Sequence, residues 1–436
     1  LKEPSKSHSQ TGRVVRVSLG NLLEMYDFMV FGYYAAAIGR AFFPDQSDYA
    51  SLMKSLMTFG TGYLMRPLGA IVLGAYIDHH GRRKGLLLSL TLMAIGTFSI
   101  GCLPGYETLG LAAPLLVVAA RLVQGLSAGV EIGGVSVYLA EIATPAHRGF
   151  YVSWQSASQQ IAVMFAALLG VLLSTALRPD QMLSWGWRIP LLLGSMLVPF
   201  VFILRRSLPE TEAFLARNER PSTSEIWRTL AHNWRLVVLG MMLSTTTTVT
   251  FYLITAYMPT YASSVLHLST RQSMVVTLCV GASNFVWLPV MGFLSDLVGR
   301  RPLLTVCSSL ALFSAYPILL WLVGDPTFGR LLAVALWFSM IFGSYNGAMV
   351  VYLTEIMPAQ VRASGFSLAY SLATGIFGGF TPAISAYLIH TTGNRAMPGV
   401  WLAFAGAMGL TATALLHRVP EQRRRPVNAV NELPTG

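Results

Sequence analysis

Gly74-Ala75-Tyr76-Ile77-Asp78-His79-His80-Gly81-Arg82-Arg83-Lys84 is a short polar turn between two long apolar stretches, and the chain contains it twice. The second copy is Gly292-Phe293-Leu294-Ser295-Asp296-Leu297-Val298-Gly299-Arg300-Arg301. Its Gly292, Asp296, Gly299 and Arg300 each stand 218 positions beyond Gly74, Asp78, Gly81 and Arg82, while Pro302 stands where the first copy has Lys84. A repeat of this length makes the two halves of the chain copies of one architecture. The glycines permit a tight turn between helices, and the Asp can sit where a neighbouring helix offers its positive N-terminus. The arginines hold the turn on the positive side of a membrane. A second set of echoes agrees: Val137-Tyr138-Leu139-Ala140-Glu141-Ile142 returns as Val351-Tyr352-Leu353-Thr354-Glu355-Ile356, 214 positions on. Gly129, Gly133 and Arg148 return at the same offset as Gly343, Gly347 and Arg362.

Outside these turns the chain is strongly apolar. Hydrophobic residues make up 54% of its 436 positions and charged residues 11%, against roughly 25% charged in soluble domains. About 20 apolar residues span a bilayer, and the sequence offers twelve such stretches: 14–39, 50–76, 84–103, 111–139, 149–176, 187–205, 234–262, 270–295, 302–323, 328–354, 362–390 and 397–417. The expected fold is an all-α membrane protein of 12 transmembrane helices in two pseudo-symmetric six-helix bundles with both termini cytoplasmic. A tail, 1–13, precedes the first bundle, 14–205; a cytoplasmic linker, 206–233, leads to the second bundle, 234–417; a second tail is 418–436. On that topology the inner segments carry 21 of the 30 Lys and Arg, and the outer loops carry Arg40, Arg178, Arg188, Arg271, Arg330 and Arg395. The net charge of +11 therefore follows from the positive-inside rule and calls for no nucleic-acid partner. Cys102, Cys279 and Cys307 lie in or at the ends of apolar helices without ligand spacing, so no metal site is expected, and no constellation of nucleophile and base marks an enzyme.

Lys54, Arg66 and Arg121 fall inside the spans, as do several acids. A charge at the centre of an inserted helix costs roughly 2.5 to 3.5 kcal/mol, so each needs a reason. Glu24 and Asp27, three residues apart, share a face of the first helix at mid-membrane depth. Arg121 lies in the fourth helix, Glu131 deeper in the same helix, and Arg66 in the second. Guanidinium matches carboxylates in a planar, two-pronged way and never deprotonates, which makes Arg66 and Arg121 candidates for binding an anionic substrate. Asp27, Glu24 and Glu131 are candidates for proton exchange, because low dielectric disfavours the charged carboxylate and a substrate anion nearby disfavours it further. The alternative is a structural ion pair such as Arg121 with Asp27. Polar residues facing apolar surroundings complete the candidate list: Asn21, Gln124, Gln155, Ser158 and Gln159 in the first half, and Tyr252, Tyr257, Asn284, Tyr345, Asn346 and Tyr370 in the second. The glycine series 125, 129, 133 and 343, 347 reads as close helix packing. Asp78, Arg82, Glu141 and Arg148 are expected to form an inner charge clamp, with Asp296, Arg300, Glu355 and Arg362 as its counterpart. His79 and His80 read as solvated residues of the turn.

The paired Gly-x-x-x-Asp-x-x-Gly-Arg-Arg turns, the Arg121-Leu122-Val123-Gln124-Gly125 stretch and Pro209-Glu210-Thr211 resemble the major facilitator superfamily over the whole chain apart from its ends. Gly20-Asn21-Leu22-Leu23-Glu24-Met25-Tyr26-Asp27-Phe28, Met65-Arg66-Pro67-Leu68-Gly69 and Trp185-Gly186-Trp187-Arg188-Ile189-Pro190 resemble its metabolite:proton symporters. Gly133-Gly134-Val135-Ser136-Val137-Tyr138-Leu139-Ala140-Glu141-Ile142-Ala143-Thr144-Pro145 is similar to the bacterial citrate-proton and tricarballylate-proton symporters. The resemblance implies a functional monomer in the bacterial inner membrane, surrounded by lipid, that imports a tricarboxylate with protons by alternating access and uses no cofactor beyond the coupling proton. Uptake of another organic acid or a zwitterion (a dicarboxylate, shikimate, betaine or proline) is the first alternative, and drug/proton antiport the second.

Overall fold

A computed structural model describes residues 22, 24–80, 82–129, 131–206, 223–358 and 362–417. Asn21, a candidate ligand, lies outside the described residues, and so do the side chains of Asp78, Arg82 and Glu131, whose backbone is helical. Every regular element among the described residues is a helix. In chain order the long ones are α1 (24–33, then Ala35–Phe42), α2 (Asp48–Leu64, then Arg66–His80), α3 (Arg82–Cys102), α4 (Ala112–Ser127, then Glu131–Ile142), α5 (Arg148–Ala176) and α6 (Arg188–Arg206). The second half contributes α7 (Trp234–Val265), α8 (Thr270–Val298), α9 (Arg300–Gly324), α10 (Phe328–Ile356), α11 (Arg362–Thr392) and α12 (Pro398–His417). Eight of these, α2, α5 and α7 to α12, include stretches long and apolar enough to cross a membrane, and α3, α4 and α6 contribute shorter apolar helices.

Local chemistry sets the ends and breaks. Ser47 caps α2 by accepting the Ala50 N–H (3.1 Å), and Ser269 caps α8 in a reciprocal box with Gln272. Gly299, at φ 95°, makes the turn from α8 to α9 that the repeated motif predicts. Where the sequence reads a continuous stretch 111–139, the helix Ala112–Ser127 gives way to a turn at residues 128 and 129, and the next described helix is Glu131–Ile142. In α7, two π turns (Leu253–Tyr257 and Tyr261–Val265) flank Pro259, which has no N–H to give to the helical ladder. A further helix, Thr223–His232, occupies part of the expected linker.

Glycine seams bring the helices of each half together. A Cβ on Gly125 would collide with the Gly62 carbonyl oxygen, and one on Gly129 with the Arg66 carbonyl oxygen, so α2 and α4 meet backbone to backbone. In the second half Gly343 admits the Trp287 side chain and Gly347 faces the Gly292 backbone, joining α8 to α10. Gly125, Gly129, Gly343 and Gly347 therefore do pack helices within each half, while the surroundings of Gly133 lie outside what is described.

Contacts between the halves lie at both ends of the molecule. At the end bearing the Gly-Asp-Arg turns, Gly149 of α5 meets Gly292 of α8. Farther along the same pair, the rings of Trp154 and Phe285 stand 5.8 Å apart and Asn284 Nδ2 donates to Gln160 Oε1 (3.1 Å). Toward the opposite end Gly32 of α1 packs on Ala256 of α7, Phe380 of α11 sits on Gly60 of α2, and Tyr63 of α2 sits on Gly379. Tyr49 and His390 stack across the halves at 3.8 Å. The bundles close on each other on both sides of the buried arginines.

Gly125→Val is expected to cost about 3 kcal/mol, because the backbone of α2 cannot yield to the added side chain. Gly329→Ala, at a site with no neighbour within 4 Å, is the control. Thermal melts in detergent should separate the two clearly, and a Gly125→Val protein that melts with wild type would refute the seam.

Candidate functional site

Four ionisable side chains converge in the first half: Glu24 and Asp27 from α1, Arg66 from α2 and Arg121 from α4. They are 3%, 1%, 1% and 0% exposed, so their partners must come from the protein. Arg66 Nη2 donates to Glu24 Oε1 at 2.7 Å, an ion pair closed to water. Arg121 has no such direct pair among the described residues. Its Nη1 donates to Gln124 Oε1 (2.8 Å) and its Nη2 to the Phe59 carbonyl (3.1 Å). Gln124 Nε2 donates to Thr97 Oγ1 (2.8 Å), and the Thr97 hydroxyl donates to Asp27 Oδ2 (2.6 Å). Arg121 and Asp27 are thus joined through two intermediaries on α4 and α3.

Aromatic rings supply the rest of the environment. The Phe28 ring receives both guanidinium groups, Arg66 at 4.9 Å and Arg121 at 4.5 Å from its centroid. Arg66 also lies over Tyr63 (4.8 Å), and Arg121 over Phe31 (4.5 Å). Cation–π attraction of this kind offsets part of the cost of burying a cation. The Nε atoms of both arginines and Oδ1 of Asp27 have no hydrogen-bond partner among the described residues. Asp27 Oδ1 lies against Gly194 of α6 and Arg121 Nε against Gly62 of α2, so each buried group keeps hydrogen-bonding capacity that no described residue uses.

The other candidates divide by location. Tyr252 and Tyr370 of the second half lie within electrostatic reach of Arg66, and the Tyr252 ring packs 4.9 Å from Tyr63. Gln155 Oε1 accepts from Ser156, Ser158 donates to the Gln155 carbonyl, and Gln159 is buried on the same helix. Asn346 Oδ1 accepts from Thr247 (2.8 Å) and Tyr345 donates to the Leu243 carbonyl (2.9 Å), both within the second half. Tyr257 packs at a tilt against Tyr261, with ring centroids 5.8 Å apart. Asn284 bridges Gln160 of α5 and Ser339 of α10, from which it accepts at 2.6 Å. Lys54 is half-exposed and donates to Asp45 Oδ2 (2.5 Å) in the loop before α2. That hydrogen bond, helped by the Gln46 N–H, holds the Asp45 carboxyl below its usual range. The sequence reading passed over Thr97, Phe28, Tyr63 and Gln160. For Thr97 the sequence carries only a lone hydroxyl in an apolar helix, 70 positions from Asp27.

At the turn end, Asp296 of α8 is 1% exposed and accepts the N–H groups of Gly149 (2.9 Å) and Phe150 (3.1 Å) at the start of α5, across the boundary between the halves. A carboxylate on a helix N-terminus satisfies two otherwise orphan donors and the helix dipole together. Arg300 ties Asp296 (2.7 Å) to Glu355 (3.1 Å). Arg362 and Arg148 each keep an unpartnered Nε among the described residues, and Glu141 is exposed. Of the first-copy clamp, the Asp78 and Arg82 side chains lie outside the described residues.

A sequence model of the Major Facilitator Superfamily matches residues 17–371 and, in a second match, 273–435. The chain is 56% identical over 414 residues to a citrate-proton symporter of Salmonella typhi, covering 95% of each. It is 56% identical over 410 residues to a citrate-proton symporter of Klebsiella pneumoniae, covering 94% of this chain and 92% of the other. The crystal structure of a D-xylose-proton symporter superposes with a TM-score of 0.76 at 19% identity, covering 95% of this chain and 99% of that one, a likeness of fold.

Asp296→Ala is expected to destabilise the protein by about 3 kcal/mol, since it leaves the N–H groups of Gly149 and Phe150 without their acceptor and takes from Arg300 one of its two carboxylates. Glu355→Gln, at a carboxylate 32% exposed, should cost less than about 1 kcal/mol. Chemical denaturation in detergent measures both, and equal effects would remove Asp296 from its place as the cross-bundle contact.

Proposed function

This chain belongs to the major facilitator superfamily, and we propose that it is a proton-coupled symporter that imports citrate across a bacterial inner membrane. The observation that carries this reading is the sealed group of two arginines and two carboxylates, in a chain 56% identical to citrate-proton symporters over nearly all its length. The turn end is cytoplasmic, as are both termini, and the residues 14–205 and 234–417 are the two rocking bundles. The protein works as a monomer in lipid, with protons as the coupling ion and no other cofactor.

Charge fixes what the site has to do. Carrying a trianion inward against an inside-negative potential costs about 7 kcal/mol at 100 mV, from about 2.3 kcal/mol per charge. About three protons per trianion, or fewer for a protonated form, cancel that cost. Arg66 and Arg121 hold substrate carboxylates, which their planar forks match. Asp27, with Glu24 and Glu131, takes the protons. Because a bound anion favours protonation of a neighbouring carboxylate and the reverse holds equally, the two ligands bind together. Tyr252 and Tyr370, reaching toward Arg66 from the second half, complete the enclosure when the bundles close. Alternation then requires one end to open at a time. Asp296 on the α5 N-terminus holds the cytoplasmic end, and Tyr63 and Phe380 on their facing glycines hold the outer end.

Tricarballylate lacks the hydroxyl of citrate but carries the same three carboxylates, so it is the competing substrate. Proteoliposomes loaded with the protein should take up labelled citrate above its equilibrium level under an inward proton gradient, and a protonophore should abolish the excess. Tricarballylate run in parallel ranks the pair. Uptake that only equilibrates would defeat symport; no uptake of either would defeat the tricarboxylate reading, and dicarboxylates, shikimate, betaine and proline would be tried next. Arg121→Lys should lower citrate uptake about tenfold or more, because a point charge cannot replace the fork; undiminished uptake would remove Arg121 from the binding site.

A further inference from the structure

Gln124 reads in the sequence as a ligand for substrate oxygens and Thr97 as a residue of no account; their hydrogen bonds give both another task. Every donor between Arg121 and Asp27 points the same way: Arg121 Nη1–H to Gln124 Oε1, Gln124 Nε2–H to Thr97 Oγ1, and Thr97 O–H to Asp27 Oδ2. Donors aligned from a cation to an anion polarise one another, so each bond strengthens the next. The side chains are seated to do this. Gly96, beside Thr97, leaves room for Gln124, whose Cγ a Cβ there would approach to 2.6 Å, and Gly62 leaves room for Arg121 Nη2, which a Cβ would approach to 3.2 Å.

Thr97 has a second acceptor within reach, the Met93 carbonyl at 3.0 Å, and only one hydrogen to give. With Asp27 ionised, that hydrogen goes to the carboxylate. When a proton binds Asp27 Oδ2, the acid becomes the donor, Thr97 Oγ1 accepts from it, and the hydroxyl hydrogen turns to Met93. The Thr97 oxygen keeps its second lone pair for Gln124, so each donor of the relay keeps an acceptor in both states. Only the negative charge at the far end is gone. Among the described residues, the ionisable groups facing Asp27 are Arg121 from α4 and Tyr26 from its own helix; from α3 it meets Thr97 and from α6 Gly194.

We propose that Thr97 and Gln124 are positioning residues that couple the substrate anion to the proton: with Asp27 ionised the relay ties Arg121 Nη1 to a negative charge, and with Asp27 protonated the same hydrogen bonds hold it more weakly, so that a substrate carboxylate takes Arg121 over. This rests on the symport reading and names the path within it. A proton on Asp27 and an anion on Arg121 favour each other without touching.

The test separates coupling from transport. Proteoliposomes with wild type, Thr97→Val, Thr97→Ser and Gln124→Met are assayed for exchange of labelled against unlabelled citrate at equal pH, and for accumulation driven by an inward proton gradient. The ratio of accumulation to exchange is expected to fall about tenfold or more in Thr97→Val and Gln124→Met, an ordinary size for a coupling free energy, and to return in Thr97→Ser, which keeps the hydroxyl. An unchanged ratio in Thr97→Val and Gln124→Met overturns the relay. So does a fall that Thr97→Ser shares, since a packing defect alone would produce it. If Thr97→Val does not fold, Gln124→Met against wild type decides on the same ratio. Wild-type protein that exchanges no citrate defeats the citrate reading instead, and the ratio is then taken with the acid it does exchange.

Discussion

Two guanidinium groups sealed away from water are the constraint on which the rest of this molecule depends. Arg66 and Arg121 are the largest polar side chains in the structure with less than 2% exposure, and a cation stranded there without a partner would cost several kcal/mol. The first half answers each differently. Arg66 receives a carboxylate outright, and Arg121 receives an amide, a backbone carbonyl and three aromatic rings, with a carboxylate only at the end of a relay. A group paired outright is fixed in place, whereas one held through neutral intermediaries has a partner that can be outbid by a carboxylate. Of the two, Arg121 is the one whose present partners are more readily exchanged for a carboxylate.

Backbone geometry makes that arrangement possible. Arg66 sits between Gly62 and Gly69, whose missing side chains let α4 lie directly against α2. The same contact brings Arg121, one turn before Gly125, beside Gly62. With bulkier residues the two helices would stand farther apart, and the Phe28 ring could not receive both cations. The glycines of this seam thus set the spacing of the charges as well as the packing of the bundle.

Much of this was legible in the sequence, for identifiable reasons. The duplication showed itself because charged turns stand out against apolar helices, and the buried acids and arginines showed themselves because charge inside a span is costly. Even the place of Asp296 follows from elementary chemistry, since a carboxylate beside a turn of helices finds an N-terminus. What the sequence could not show was partnership. A direct ion pair of Asp27 with Arg121 is the alternative the sequence offers, but the structure interposes Gln124 and Thr97, and Thr97 stands on a helix whose sequence gives no hint of facing α1. Lys54 read as an intramembrane charge because the apolar count placed it within a span; its long side chain reaches Asp45 instead. Glycine spacing along one helix likewise leaves open which neighbour it admits, as Gly60 and Gly379 do for rings from the opposite half.

The closed form also bears on leakage. A symporter wastes its gradient if the bundles can reorient with a proton and no substrate. With Asp27 ionised and no substrate, each buried charge in this site has an internal answer: Glu24 for Arg66, and the relay to Asp27 for Arg121. In the proposed cycle, with both ligands bound, the substrate's carboxylates replace Asp27 as the counter-charge. With the proton alone, Asp27 is neutral, and closing the bundles would bury Arg121 with nothing but dipoles and ring faces to answer it. Removing one partner of a buried charge costs about 3 to 5 kcal/mol, which slows that closure by roughly a hundredfold or more at 1.36 kcal/mol per factor of ten. The same burial that makes the arginines expensive is what makes the half-loaded carrier reluctant to move.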